Sequence, residues 1–498
     1  MFALPYLVLM IAWAGSNPPG AAPDEPDHLV KALGMATLDI GRPYTGPPGS
    51  DSLGDVRNAS ISRVVTIPAR LSPDGYACQA RYANETAACL PQQAPGGSGT
   101  VEVVTPLGSY PPFLYVPIGL VASLASTPFQ AFMLARVACI AMAEVLLLLG
   151  AWFLVRTLGR MALIGAFVAM TPMAVFTSSA AGLSGVEITA AFAVATVAIS
   201  ALRKPEVLQQ PLGQMMLAGV GAVLILSRQL GVVTFGVIIV LLIARLGWRY
   251  FWDLLRARQP TLLAGVAVLG ASTLAITLWE QAFDNPVNTD PPFQMLAVGA
   301  FDTSAYSVLQ SAIGNFGWLE TPMPRWAFLA YILVLVVFVG SAMVLGRAAD
   351  RWALLVWPLA TVLLAYVAYS SVFFPVEAGL QGRHVLPFFM IVPVLAGVVL
   401  GEALGALDAA ALRRVVLTVA AVLPVLQFTG IYVNSIRYAV GVNGPIFFLP
   451  SARWQPGLGW IPWLLLAALG SALLSVAIFR CRPDMEIGQR QELARVGG

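Results

Sequence analysis

Long apolar stretches alternate with short polar breaks along most of this chain. They cover approximately residues 2–14, 130–155, 161–178, 184–201, 212–226, 230–246, 261–280, 326–346, 353–372, 384–404, 415–436 and 458–479. About 20 apolar residues cross a bilayer as a helix. Lipid offers the backbone no hydrogen-bond partner, so such runs must be helical. The pattern predicts an all-α polytopic membrane protein with about twelve transmembrane helices. One more run, 113–126, is short and contains Pro117; it predicts an interfacial or re-entrant segment over 111–126. The first run starts at Met1 and is short enough to suit a cleaved signal peptide, although no positive charge precedes it.

Composition supports the membrane reading. Charged residues make up 11% and hydrophobic residues 58%, with mean hydropathy +0.79, against about 25% charged in a soluble domain. The net charge of +3 gives no reason to expect a nucleic-acid partner. The placement of the basic residues says more. Arg156 and Arg160, Arg203 and Lys204, Arg245 to Arg258, Arg347 and Arg351, Arg413 and Arg414, and the tail from Arg480 fall on one side if 113–126 does not cross. Lys and Arg are retained in the cytoplasm, so both termini are expected there. Residues 1–480 form the membrane domain and 481–498 a cytoplasmic tail.

The opposite face carries the long loops. The first, 15–110, is rich in Pro, Gly and Ser; others span 281–325, 373–383 and 437–457. Loops of this length are usually functional or disordered. Cys78 and Cys89 lie in the first loop, where an oxidising compartment permits a disulfide. Cys139 and Cys481 are expected to stay free. The cytoplasmic loops are short and basic and hold no Gly-rich phosphate loop. An active site should therefore face outward, which disfavours a nucleotide-sugar or ATP donor.

The chemistry-bearing residues gather on that face. In "PDEPDHLVKALG", from Pro23, Asp24 suits a helix N-cap with Glu25 and Asp27 in the first turn. The same carboxylates, next to the first span, suit positioned bases. Asp24 and His28 lie four apart and could share a proton or hold a divalent cation; Asp27 is expected to be solvated. Arg228, Arg383 with His384 beside it, and Arg136 lie near the outer ends of spans. Charges there are normally paired or functional, and guanidinium suits phosphate. Arg325 and Arg437 are expected to snorkel. Glu187 can join the outer site, and Glu144, deeper, is expected to pair with Arg136 or another span. Tyr110, Trp318 and Glu320 complete the candidate acceptor pocket with His28 and Glu187; Trp318 can stack on a sugar or a prenyl chain.

"PDEPDH" at 23–28, "YPPFLYVPIGL" at 110–120, the segment around Arg136, "GWLETPMP" at 317–324 and "QGRHVLP" at 381–387 occur in an order that resembles the GT-C superfamily of membrane glycosyltransferases. More narrowly, nearly the whole chain resembles the bacterial multi-pass family of domain of unknown function 2142. The chain departs from that family's pattern at Glu187, Arg228 and His384. The resemblance implies a GT-C bundle in the bacterial inner (plasma) membrane. It implies a polyprenyl-phosphate sugar donor and a glycan, lipid or protein acceptor. Asp24 would be general base and Glu25 its partner, with Arg228, Arg383, His384 and Arg136 on the donor phosphate. A composition rich in Ala, Val, Leu and Gly suggests a high-GC genome, and so arabinose as one candidate sugar. The rival readings are a twelve-span secondary transporter, because "GRAADR" at 346–351 resembles a cytoplasmic loop of the major facilitator class, and a lipid-linked glycan flippase or ligase.

Overall fold

The computed structural model describes residues 2–49, 59–91, 97–283, 298–368, 380–403 and 409–481; the expected tail beyond 481 lies outside them. In chain order the α-helices are α1 (Ala3–Ser16), α2 (Glu25–Ala36), α3 (Tyr115–Ala122), α4 (Pro128–Leu158), α5 (Leu163–Ala169), α6 (Pro172–Ser178), α7 (Leu183–Arg203), α8 (Pro211–Ser227) and α9 (Gln229–Leu246). They continue as α10 (Trp248–Arg256), α11 (Pro260–Ala282), α12 (Val298–Gly314), α13 (Arg325–Leu345), α14 (Ala348–Ala368), α15 (Gly382–Phe389), α16 (Ile391–Ala403), α17 (Ala409–Val440) and α18 (Trp460–Phe479).

Each of the twelve apolar runs is helical over most of its described residues. Among the described residues eight helices are long and apolar enough to cross a membrane, with Gly382–Ala403 taken as one. The run expected as one span over 161–178 is broken: Arg160–Ala169 and Pro172–Ser178 meet at 81°, and count as a ninth span only if joined. Pro172 lacks the N–H that would continue the upstream helix. Thr171 caps the new one, its Oγ1 accepting from Ala174 N at 3.0 Å. α1 and α8 are apolar but shorter. The segment expected to be interfacial forms α3, eight residues long.

Side-chain character sets depth in the bundle. In α7 every residue from Leu183 to Ala201 is buried, largely Ala, Val, Ser and Thr; a helix apolar all round belongs inside. In α11 only Ser272 and Ile276 are buried, as expected of a helix facing lipid. α1 packs between α4 and α18, and α2 lies on α3. The last contact needs a glycine, because a Cβ on Gly119 would fall 1.8 Å from Ala32 O.

The first loop is folded. β1 (Arg42–Pro43), β2 (Arg63–Pro68) and β3 (Thr100–Thr105) form an antiparallel sheet in that order, with Val65 opposite Val103. Asp39 ties it to the end of α2, its carboxylate accepting from Gly41 N and Thr66 N. The predicted disulfide is formed between Cys78 and Cys89, and Cys139 and Cys481 are free and buried. A short hairpin, β4 (Asn315–Phe316) with β5 (Thr321–Pro322), carries the "GWLETPMP" turn.

Candidate active site

The residue before α2 decides the site's layout. Asp24 sits at the N-cap position with φ 61°, in the left-handed region, and its side chain makes no capping bond. Asp tolerates that region better than most residues. This local turn sends the neighbouring carboxylates Asp24 and Glu25 in different directions.

Glu25 points inward and is fully buried against Arg136, which is 1% exposed. Arg136 Nε and Nη2 donate to its two oxygens at 2.8 and 2.7 Å. The remaining N–H groups donate to the carbonyls of Ala14, Asn17 and Pro18. A guanidinium has five N–H donors, so none is left for a ligand. Glu25 also accepts from Ala22 N and Ala181 N. The expected roles of Arg136 on a phosphate and Glu25 beside the base are therefore corrected: they form a closed structural pair. Glu144 does not pair with Arg136, and its Oε2 has no hydrogen-bond partner among the described residues.

Asp24 points toward α15. Arg383 Nη2 donates to its Oδ2 at 2.7 Å, and Nη1 donates to Pro23 O at 3.3 Å. The Asp24 side chain is still 32% exposed. Burial raises its carboxyl, but Arg383, helped by Arg228, outweighs burial and holds it below the ordinary carboxylate range. Arg383 Nε is buried and has no partner among the described residues. α15 can approach this closely because Gly382 packs on α12, where a Cβ would lie 2.0 Å from Ala312 N.

Arg228 lies at the junction of α8 and α9. It donates to Ser184 Oγ and Tyr110 Oη at 2.9 Å each, and its guanidinium lies over the Tyr110 ring. Glu187, one turn into α7, is 3.8 Å from Arg228 Nη1 and 1% exposed, and neither of its oxygens has a hydrogen-bond partner among the described residues. His28 Nδ1 meets Tyr115 Oη at 2.6 Å, and its ring stacks on Tyr115. Burial, more than Arg228 and Arg383, pushes His28 down to about 3 against the pull of Asp24, so the imidazole is neutral. No set of three or more His, Cys, Asp or Glu side chains suited to a metal gathers among the described residues.

The other candidates lie in structural contacts. His384 helps close the start of α15, its Nδ1 accepting from Gln381 N at 3.3 Å. Trp318 Nε1 donates to Gly20 O, and Arg81 lies over the ring. Glu320 accepts from Arg437 Nε at 3.1 Å. Arg437 does not snorkel: it is fully buried and donates to the carbonyls of Gln79, Tyr82 and Glu85 in the disulfide loop.

Two site residues escaped the sequence reading. Asp27 is half-buried, not freely solvated, and burial and then the Asp24 charge push its carboxyl up to about 7. Lys31 is buried, donates to Gly108 O at 2.8 Å and lies over the Trp279 ring; burial and then Arg63 lower it to about 8. Positions 24, 27, 28 and 31 follow the spacing that marks one helix face, so the polar stripe was available in the sequence.

Beyond Arg383 on α15, Val385, Leu386 and Phe389 line an apolar cavity of about 320 Å³, closed by Ala312, Tyr331 and Thr361 from neighbouring helices. Such a volume is at the small end of ligand pockets.

Two solved structures are similar in outline: the crystal structures of ArnT from Cupriavidus metallidurans in the apo state and bound to undecaprenyl phosphate. Identities are 16% and 15% and TM-scores 0.44 and 0.43; each alignment covers 96% of this chain and 76% of the other. At these values the likeness assigns nothing to the present chain. No curated protein matches it. Residues 7–392 match the family described as "Predicted membrane protein (DUF2142)", and the chain belongs to that family.

Proposed function

We propose that the protein is a membrane glycosyltransferase that moves a sugar from a polyprenyl-phosphate donor to an acceptor hydroxyl. The observation that carries this reading is the Asp24–Arg383 pair. It is a partly exposed carboxylate held at 2.7 Å by a guanidinium with a spare buried donor. Arg228 stands beside it, and a lipid-compatible cavity lines the same helix. Arg383 and Arg228 bind the phosphate, for which guanidinium geometry is suited. The cavity takes the first part of the prenyl chain.

The acceptor oxygen attacks the anomeric carbon as the bond from that carbon to the phosphate oxygen breaks. Polyprenyl phosphate leaves with the bonding pair, its charge stabilised by the two arginines. The acceptor proton passes to Asp24. A carboxylate with a depressed pKa is a weak base toward an alcohol. It serves here because the attacking oxygen becomes strongly acidic as its new bond forms, so proton transfer comes late. Single displacement inverts the anomeric centre. The basic loops support a site outside the cytoplasm with both termini inside, and the membrane of this reading is a bacterial plasma membrane. Arabinose is one sugar to test among several, and the acceptor is a glycan, a lipid or a protein.

The test is transfer from radiolabelled polyprenyl-phosphate sugars in membranes containing wild type or Asp24→Asn. Loss of about 10²–10⁴-fold is expected for a positioned base. Full activity in a well-folded Asp24→Asn protein would remove Asp24 from the mechanism. Counterflow of a soluble solute that is indifferent to Asp24 would favour a transporter.

A further inference from the structure

Glu187 is hard to account for by protein contacts alone. A buried polar group without a hydrogen bond is costly, and an ionised one more so. Both Glu187 oxygens lack a hydrogen-bond partner among the described residues, although the side chain is 1% exposed. The nearest cation, Arg228, stays 3.8 Å away and donates through the same nitrogen to Ser184 instead. A carboxylate beside two arginines also works against binding of phosphate alone, because like charges repel. A ligand that satisfies both features joins an anion to hydrogen-bond donors. A phosphate carrying a hydroxylated ring has that composition.

We propose that Glu187 holds the sugar of the donor, its two oxygens accepting hydrogen bonds from two ring hydroxyls while Arg228 and Arg383 hold the phosphate. This rests on the donor reading given above. Access is built in. Arg228 is anchored by the neutral hydroxyls of Ser184 and Tyr110. A phosphate competes well with them, since charge-assisted bonds are the stronger kind. When Arg228 turns from Ser184 to the phosphate, it uncovers Glu187 to the group next along the ligand, the sugar. Glu187 thus becomes the residue that separates loaded donor from spent carrier lipid.

The experiment compares the full chain in lipid nanodiscs, as wild type, Glu187→Gln and Glu187→Asp. Binding is measured for bare polyprenyl phosphate and for neutral polyprenyl-phosphate hexoses and pentoses. In Glu187→Gln the glycosylated lipids should bind at least about tenfold more weakly. Bare polyprenyl phosphate should bind as well or more tightly, because a negative charge has left its site. Glu187→Asp keeps the charge but retracts it by one methylene. It should lose affinity for the glycosylated lipids only, and it keeps the test open if Glu187→Gln does not fold. An equal effect on both lipid classes, or none on either, overturns the role of Glu187 while leaving the donor reading intact. Failure of the wild type to bind either class overturns both.

Discussion

Asp24 and Glu25 are adjacent in the chain and belong to two different regions of the molecule. Glu25 is sealed with Arg136 among the ends of α1, α2 and α4, and every donor and acceptor of that pair is used. Asp24 meets Arg383 at a partly open edge, with a donor of Arg383 left over. Both are carboxylate–guanidinium pairs at 2.7 Å. The contrast shows that saturation of the partners, not the distance between charges, separates a structural pair from a candidate working one.

The sharpest way to break the comparison is to neutralise each acid in turn. Glu25→Gln leaves Arg136 charged and buried, which costs about 3–5 kcal/mol. The expected result is a large drop in melting temperature in detergent and a poor yield of folded protein. Asp24→Asn leaves the buried Arg383 without its counter-charge but should cost less than Glu25→Gln, because Asn also tolerates the left-handed backbone and the site is partly solvated; it should lose transfer activity instead. Equal destabilisation of the two variants would erase the distinction.

A smaller effect is expected from the segment that leads into both acids. Residues 17–21 are held from above by the disulfide loop, through Gln79 to Pro19 O, and by Tyr438 to Ala21 O. Replacing Cys78 and Cys89 with Ser should cost about 2–4 kcal/mol, seen as a lower melting temperature and faster proteolysis between residues 70 and 91. Unchanged proteolysis would mean that the hydrogen bonds of Arg437 and Gln79 hold the loop without the disulfide.

The smallest effect separates Asp27 from His28 on the α2 stripe by pH. Asp27 has its folded pKa raised to about 7 from 3.8. Its proton favours the folded state at low pH, and that contribution is lost as pH rises to about 7. His28, lowered to about 3, acts in the opposite sense: its contribution is present above about 6.5 and lost as pH falls. Asp27→Asn removes only the first slope. The melting temperature of the variant relative to wild type should rise from about pH 4 to about pH 7 and level off. A constant difference would show that Asp27 titrates as an ordinary surface acid.

The helices were legible because lipid leaves the backbone no alternative, but the break at Pro172 that divides the run 161–178 was not read from the sequence. Asp24, Arg228 and Arg383 were assigned from the sequence to one candidate site, and the fold sets Arg383 against Asp24. Their partners were not legible. Arg136 and Arg383 look alike as lone arginines near the ends of apolar runs, and only the tertiary fold shows that one is saturated by three carbonyls and Glu25. Arg437 likewise reads as a snorkelling terminus until the distant disulfide loop is set against it. The direction of Glu25 depends on a single positive φ at Asp24, which sequence spacing does not report.

The Asp24–Arg383 bond joins residues 359 positions apart, and Arg437 reaches Gln79 across 358. At about 5–20 residues per second, a ribosome needs roughly 20–70 s to supply the second partner of each. During that interval Asp24 is already made without Arg383, and the disulfide loop lacks the buried Arg437 that joins it to α17. The site is thus completed late in synthesis, and a nascent chain stopped before α15 would hold its carboxylate without the arginine that confines it.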